Sequence, residues 1–309
     1  IDSQNHKSFA TKQMTPLTGG PILLLTLLFF LGSNLLILKI FLFLIFITGI
    51  FSDINFIKKP STRFLIQLIV VFIFLYFNDY QILDLRIDII NNLLNYEYFN
   101  LFFMGFCFLI LINGFNFIDG LNTLSFGYFF LVFINLLLIN DLYLISVPEY
   151  FLEKFVIFIF IFIFFMIFSA KFFLGDSGSY LLGAFIGIEV VTIHQNNIEV
   201  SPWYFALLLW YPSFEILFSI FRKLIEKTSP LNPDKKHLHQ LIYAKLKKKK
   251  INFANSISAN LINLFNFLVL LLGTFNIYSS IINISLIFFN IFIYVFIFFK
   301  LKDLDGIRQ

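Results

Sequence analysis

The residues able to do chemistry in this chain fall in four short polar stretches, each beside a long apolar run. In NGFNFIDGLNTL, Asn113 to Leu124, the amides of Asn113 and Asn116 and the carboxylate of Asp119 recur at spacing three. If helical geometry persists there, that spacing gathers them near one face of a helix end. A C-terminal cap would account for Asn and Gly at such a place, but it does not call for three converging polar side chains. In KFFLGDSGSYLLG, Lys171 to Gly183, Asp176 stands among glycines and serines just before another apolar run. The stretch fits a helix N-cap, and the same exposed N–H groups attract phosphate, beside which an Asp can hold Mg²⁺. In FSDINFIKKPSTRFLIQ, Phe51 to Gln67, Asp53 lies at an expected helix C-terminus, where negative charge is unfavourable. The lysines beside it are expected from topology alone. In SPLNPDKKHLHQLIYAKLKKKK, Ser229 to Lys250, His237 and His239 stand next to Lys235 and Lys236 and form a pocket suited to an anionic group. The run Lys247 to Lys250 suits contact with anionic membrane lipids.

Carboxylates and amides are hard oxygen ligands, which suit Mg²⁺ better than Zn²⁺; Mn²⁺ is the alternative ion. With a divalent cation neutralising charge, a phosphate oxygen can attack a diphosphate in line. Phosphate chemistry on one membrane face is the expectation from the residues.

The elements that must position these groups are membrane helices. The chain has 309 residues, 59% hydrophobic, with 48 Phe and a mean hydropathy of +0.89, which is outside the range of soluble domains. Charged residues are only 13%, and nucleic acid is not an expected partner. The single cysteine, Cys107, lies in an apolar run and excludes an intramolecular disulfide. Apolar runs predict about ten spans, near 20–33, 35–51, 63–78, 99–115, 122–140, 153–168, 178–195, 201–221, 256–275 and 279–300. Threaded alternately, with Arg63 counted at its helix start, they put 19 of the 22 Lys and Arg residues on one side. The positive-inside rule makes that side the cytoplasm, and all four polar stretches lie there. Ile82 to Leu94, on the opposite side, reads as a short strand or an interfacial helix. No repeat is visible, so residues 1–309 are expected to form one all-α, polytopic membrane domain. The chain begins at Ile1 in a polar stretch, and a preceding segment is expected.

Together the four stretches resemble the bacterial polyprenyl-phosphate N-acetylhexosamine-1-phosphate transferases of glycosyl transferase family 4. That family includes the undecaprenyl-phosphate N-acetylglucosamine-1-phosphate transferases and the phospho-N-acetylmuramoyl-pentapeptide transferases. Pro16-Leu17-Thr18-Gly19-Gly20 resembles the family's proline-to-double-glycine segment, and Asn113-x-x-Asn116-x-x-Asp119-Gly120 its amide and aspartate motif. Phe173 to Ser179 is similar to its Gly-Asp metal motif, and Pro233-Asp234-x-x-His237-Leu238-His239 to its histidine loop. Two positions depart from the pattern. Ser52-Asp53 replaces the usual pair of aspartates, and Gln240 stands where the histidine loop usually continues with another histidine.

The resemblance implies eleven spans in the full family fold, so that the first helix would precede this chain's first residue. It implies transfer of a sugar 1-phosphate, typically an N-acetylhexosamine 1-phosphate, from a UDP-sugar to undecaprenyl phosphate with release of UMP. This step would begin a surface polysaccharide such as lipopolysaccharide O-antigen, or a cell-wall glycan. By the same resemblance Asp176 and Asn116 are metal ligands, Asp119 shapes the catalytic pocket, and Asn113, Asn116, His237 and His239 bind substrate. Asp53 is expected to act as a catalytic carboxylate near the lipid phosphate. The implied location is the bacterial inner membrane, with the active site on its cytoplasmic face; a homodimer is left open. Two other readings stand beside this one. The pentapeptide transferase of peptidoglycan synthesis is disfavoured because Leu238 separates the two histidines. A transporter is disfavoured because the polar breaks lie at span ends rather than mid-membrane.

Overall fold

A computed structural model describes residues 18–32, 35–121, 123–148, 174–232 and 236–304. Among these residues there are twelve helices and no strand. They are α1 (Gly19–Phe30), α2 (Leu36–Asp53), α3 (Pro60–Tyr76), α4 (Asp88–Leu94), α5 (Glu97–Ile118) and α6 (Leu124–Tyr143). After them come α7 (Gly175–Asn196), α8 (Pro202–Leu208), α9 (Trp210–Ile225), α10 (Leu238–Lys248), α11 (Ala254–Thr274) and α12 (Ser280–Leu304). By length and composition α2, α5, α6, α7, α11 and α12 can each cross a membrane, while α1 and α3 are shorter and apolar. The chain is a polytopic, all-helical membrane protein.

The expected span over 153–168 lies outside the described residues, as do Pro16, Leu17, Lys171 to Phe173, and Pro233 to Lys235. The other expected spans fall on helices, with one correction. The run 201–221 is not one helix: α8 and α9 meet at Leu209 with a bend of 72°. Pro212 supplies the cause, because its ring clashes with the carbonyl four residues earlier and it has no N–H to continue the ladder. That carbonyl, Leu208 O, instead accepts from the hydroxyl of Tyr128 at 2.8 Å, and the same hydroxyl accepts from the Tyr211 N–H at 3.4 Å. One buried phenol therefore satisfies both sides of the break, as an apolar surround requires. The stretch Ile82 to Leu94 is an extended segment followed by the short helix α4, with Asn100 of α5 bonding both the N–H and the carbonyl of Ile82.

α7 is the central element. Its membrane window is 89% buried, against 22% for α12, and it packs on α1, α2, α5 and α6. Small residues along it, Gly178, Gly183, Ala184 and Gly187, let neighbouring helices approach closely, the usual device where lipid gives no hydrophobic drive to association. Gly49 of α2 extends this contact to the start of α7, where its backbone meets Ser177 with no space for a methyl. The C-terminus of α2, the C-terminus of α5 and the N-terminus of α7 are thereby held at one end of the bundle.

Candidate active site

Asp53 ends α2 but serves a different helix. Its Oδ1 accepts from the Asp176 N–H at 2.9 Å, and its Oδ2 from the Ser177 N–H at 3.1 Å and the Ser177 hydroxyl at 2.8 Å. The carboxylate is 2% exposed and caps the N-terminus of α7, where the macrodipole favours negative charge. That disposes of the objection to an acid at the end of α2. Gly175 permits the arrangement: its φ is +76°, and a Cβ there would lie 2.7 Å from Asp53 Oδ2. In the structure the Asp53 carboxylate is bonded to the backbone that carries Asp176.

Asp176, also 2% exposed, is the point where three other helices meet α7. Its Oδ1 accepts from Asn116 Nδ2 of α5 at 2.8 Å. Its Oδ2 accepts from the Ser52 hydroxyl of α2 at 2.5 Å and from Arg63 of α3 at 2.9 Å. Arg63 also donates to Ser52 Oγ. The Asn116 amide reaches Ser179 Oγ as well, at 3.1 Å. The Arg63 guanidinium offsets the charge of the Asp176 carboxylate. The donors around it, Asp176, the Asn116 amide and the Ser52 hydroxyl, are oxygen-rich, and among the described residues no group of three His, Cys, Asp or Glu gathers as a closed cage. A hard divalent cation that keeps waters and substrate oxygens fits such a set; Zn²⁺ does not.

Asn113 and Asn116 do not share a target. Asn113 Nδ2 donates to Gln67 Oε1 of α3 at 2.8 Å and to Leu109 O at 2.9 Å, one turn deeper than Asp176. Asp119 sits past the end of α5 as its C-cap, half-buried, with its N–H on Asn116 O at 3.2 Å.

The histidines lie against the same turn. His237 is the N-cap of α10, and its N–H donates to Gln240 Oε1 at 3.3 Å, so the residue replacing the family's further histidine bonds the backbone of the cap. The His237 ring meets Phe117 edge to face at 5.2 Å and lies parallel to His239 at 5.6 Å. His239 is fully buried, its Nε2 against Gly120 with no room for a Cβ between them. Burial pushes its imidazole down to about 3, with Glu215 opposing and His237 adding to the shift, so His239 is neutral at physiological pH. Glu226, which follows α9, pairs with Lys236 at 3.1 Å and Lys302 at 3.2 Å and ties the histidine segment to the end of α12. Burial disfavours the Glu226 charge, but the hydrogen bonds from Lys236 and Lys302 outweigh it and hold the carboxyl below its ordinary range.

All the motif residues within the described chain thus adjoin one end of the bundle, in the order the sequence pattern requires. Residues 35–194 match the family model for glycosyl transferase family 4. The chain belongs to that family. It is similar to the undecaprenyl-phosphate alpha-N-acetylglucosaminyl 1-phosphate transferase of Thermotoga maritima, 28% identical over 91% of this chain and 80% of that one. It is also similar to the phospho-N-acetylmuramoyl-pentapeptide-transferase of Prochlorococcus marinus, 31% identical over 60% of this chain and 58% of the other. A shorter match is to the decaprenyl-phosphate N-acetylglucosaminephosphotransferase of Mycolicibacterium smegmatis, 37% identical over 23% of this chain and 20% of its own length. As a family member the chain is a membrane-embedded transferase.

Sequence reasoning missed three members of the site. Arg63 was indistinguishable from the basic residues that topology alone places at a helix start. Ser52 registered only as a missing aspartate. Glu215, in YPSFEILFSIF, gave one signal: an acid inside an otherwise apolar stretch of an expected span.

Proposed function

We propose that this protein transfers an N-acetylhexosamine 1-phosphate from a UDP-sugar to undecaprenyl phosphate, releasing UMP, at the cytoplasmic face of a bacterial inner membrane. The observation that carries the reading is the meeting of Asn116 and Asp176 at 2.8 Å, with Arg63 and Ser52 on the other carboxylate oxygen. Three family motifs distant in sequence there form one oxygen-rich, partly neutralised cluster. The named activities of the Thermotoga and Mycolicibacterium relatives support the substrate class.

In this reading an oxygen of the lipid phosphate attacks the sugar-bearing phosphorus of the donor. A new P–O bond forms, the diphosphate bridge breaks, and its electron pair leaves on UMP. A lipid phosphate is largely ionised near neutral pH, so the attack needs no strong base. Mg²⁺ is the ion we assign to Asp176 and Asn116; when bound, it supplies Lewis-acid charge neutralisation of the phosphates. Ser52 and Arg63 hold the Asp176 carboxylate in place, and Arg63 brings positive charge to the site. Asp53 is a positioning residue that fixes the first turn of α7. Asn113 holds Gln67, and through it α3, against α5. Asp119 shapes the turn on which the histidines pack, and His237 and His239 line the sugar-nucleotide side. The lysine run at the end of α10 faces the lipid headgroups, and the product begins a surface polysaccharide or cell-wall glycan.

The test is UMP release by the purified protein given undecaprenyl phosphate, a panel of UDP-sugars that includes UDP-N-acetylmuramoyl-pentapeptide, and Mg²⁺ or a chelator. Release that requires lipid phosphate and metal establishes the reaction and names the sugar. Release with the pentapeptide donor alone replaces this reading with the pentapeptide transferase.

A further inference from the structure

Glu215 is 1% exposed and belongs to none of the motif stretches. It lies in α9 one turn beyond Pro212, and Gly114 of α5 packs against the Pro212 carbonyl with no space for a side chain, which fixes that part of α9 beside α5. Glu215 Oε1 is 3.0 Å from Nδ1 of His237. Tyr211 of its own helix, Tyr294 of α12 and His239 of α10 are the other titratable groups within electrostatic reach of it. The imidazole it holds is fixed on two further sides, by Phe117 and by His239. Phe117 directly follows Asn116, so the ring is placed against the turn that carries the proposed metal ligand.

An ionised carboxylate only accepts hydrogen bonds, so a carboxylate at Nδ1 puts a proton on that nitrogen. The identity of the group at one ring nitrogen thereby sets what the other can do. We propose that Glu215 is the positioning residue of the histidine segment. It holds His237 with its proton on Nδ1 and turns Nε2 toward the anionic sugar nucleotide. This inference rests on the transferase reading for the identity of that anion, but the Glu215–His237 pairing itself does not.

The chain has four histidines, His6, His194, His237 and His239, so the ring nitrogens can be read one by one in the full chain labelled with ¹⁵N-histidine. His237→Gln assigns the His237 signals by their loss. In the wild type, long-range ¹H–¹⁵N spectra should show His237 protonated at Nδ1. Glu215→Gln preserves shape, and its amide can turn its NH₂ toward the ring; the spectrum should then show Nδ1 unprotonated and Nε2–H. Glu215→Asp should keep the wild-type form. In UMP release, Glu215→Gln should lower kcat tenfold or more, and Glu215→Asp should recover part of that loss. A wild-type His237 protonated at Nε2 alone overturns the proposal, even if the Gln variant fails to fold. An unchanged spectrum in Glu215→Gln also overturns it, as does unchanged kcat. Absence of UMP release from the wild type with every donor would overturn the transferase reading while leaving the nitrogen spectra to decide the pairing.

Discussion

The carboxylate of Asp53 lies across the N-terminus of the helix that carries Asp176, 2.9 Å from the Asp176 N–H. An acid at the C-terminus of one helix is thus the cap of another, and the two carboxylates are linked in series rather than set side by side. The distinction between holding Asp176 and acting on substrate is measurable.

Asp53→Ala removes the acceptor of two backbone N–H groups and one hydroxyl. It should cost about 1–2 kcal/mol, the upper part of the range for a lost N-cap. Asp53→Asn retains one acceptor oxygen and should cost less. Thermal unfolding in detergent checks the order. Both variants should transfer more slowly, and Asp53→Asn should keep the wild-type shape of its pH–rate profile. A profile whose acid limb vanishes in Asp53→Asn would make Asp53 the base instead.

Asp176→Ala should abolish UMP release while the protein stays folded in the membrane, because Arg63, 19% exposed at its side chain, can turn to water when its partner is lost. Retained activity at ordinary Mg²⁺ would reject the metal assignment.

Ser52→Asp would place a second carboxylate where a hydroxyl now donates to Asp176 Oδ2. Arg63 offsets only one of the two charges. The variant should therefore melt lower than wild type in chelator and recover when Mg²⁺ is added. Equal melting in both conditions would show that no cation enters between them.

His239 gives the pH dependence its sign. Its folded value is about 3, against an ordinary 6.5. Between those values the unfolded chain binds a proton that the folded one does not, so stability falls as pH drops below about 6.5, by about 1.4 kcal/mol per unit. From pH 7.5 to 5 the wild type should lose about 2 kcal/mol more than His239→Gln, read from denaturation midpoints.

Tyr128→Phe removes the one hydroxyl that meets both Leu208 O and the Tyr211 N–H. Leaving those groups unpaired should cost about 1–3 kcal/mol, and α9 should lose its fixed direction. A lower melting temperature together with slower transfer is the expected result. Unchanged values for both would show that the break is held by packing alone.

Much of this was legible beforehand because membrane helices announce themselves by apolar length, and because polar groups in such a chain need a reason. Asn116 and Asp176 were readable as partners from their motifs. Asp53 was readable as an anomaly, but its resolution depended on which helix end would face it, a tertiary fact. Asn113 shared a helix face with Asn116 in sequence spacing, yet three residues is one turn of depth, enough to send it to Gln67 instead. The break at Leu209 was missed because hydropathy averages over Pro212, whose effect falls four residues earlier. Glu215 was missed because its partner lies 22 residues away across a loop.

The polarity of α9 has one more consequence. It buries Glu215, Ser219, Arg222 and Lys223 and turns Leu217, Phe221, Leu224 and Ile225 outward. A helix inverted in this way has its solvent on the apolar side, so on the proposed reading the lipid around it backs the helix that carries Glu215. Detergents that extract the protein equally well should then differ in the turnover they support, and those that pack poorly on this row should loosen the Glu215–His237 contact before any span unfolds. On the proposed reading, the bilayer is then a structural component of the site.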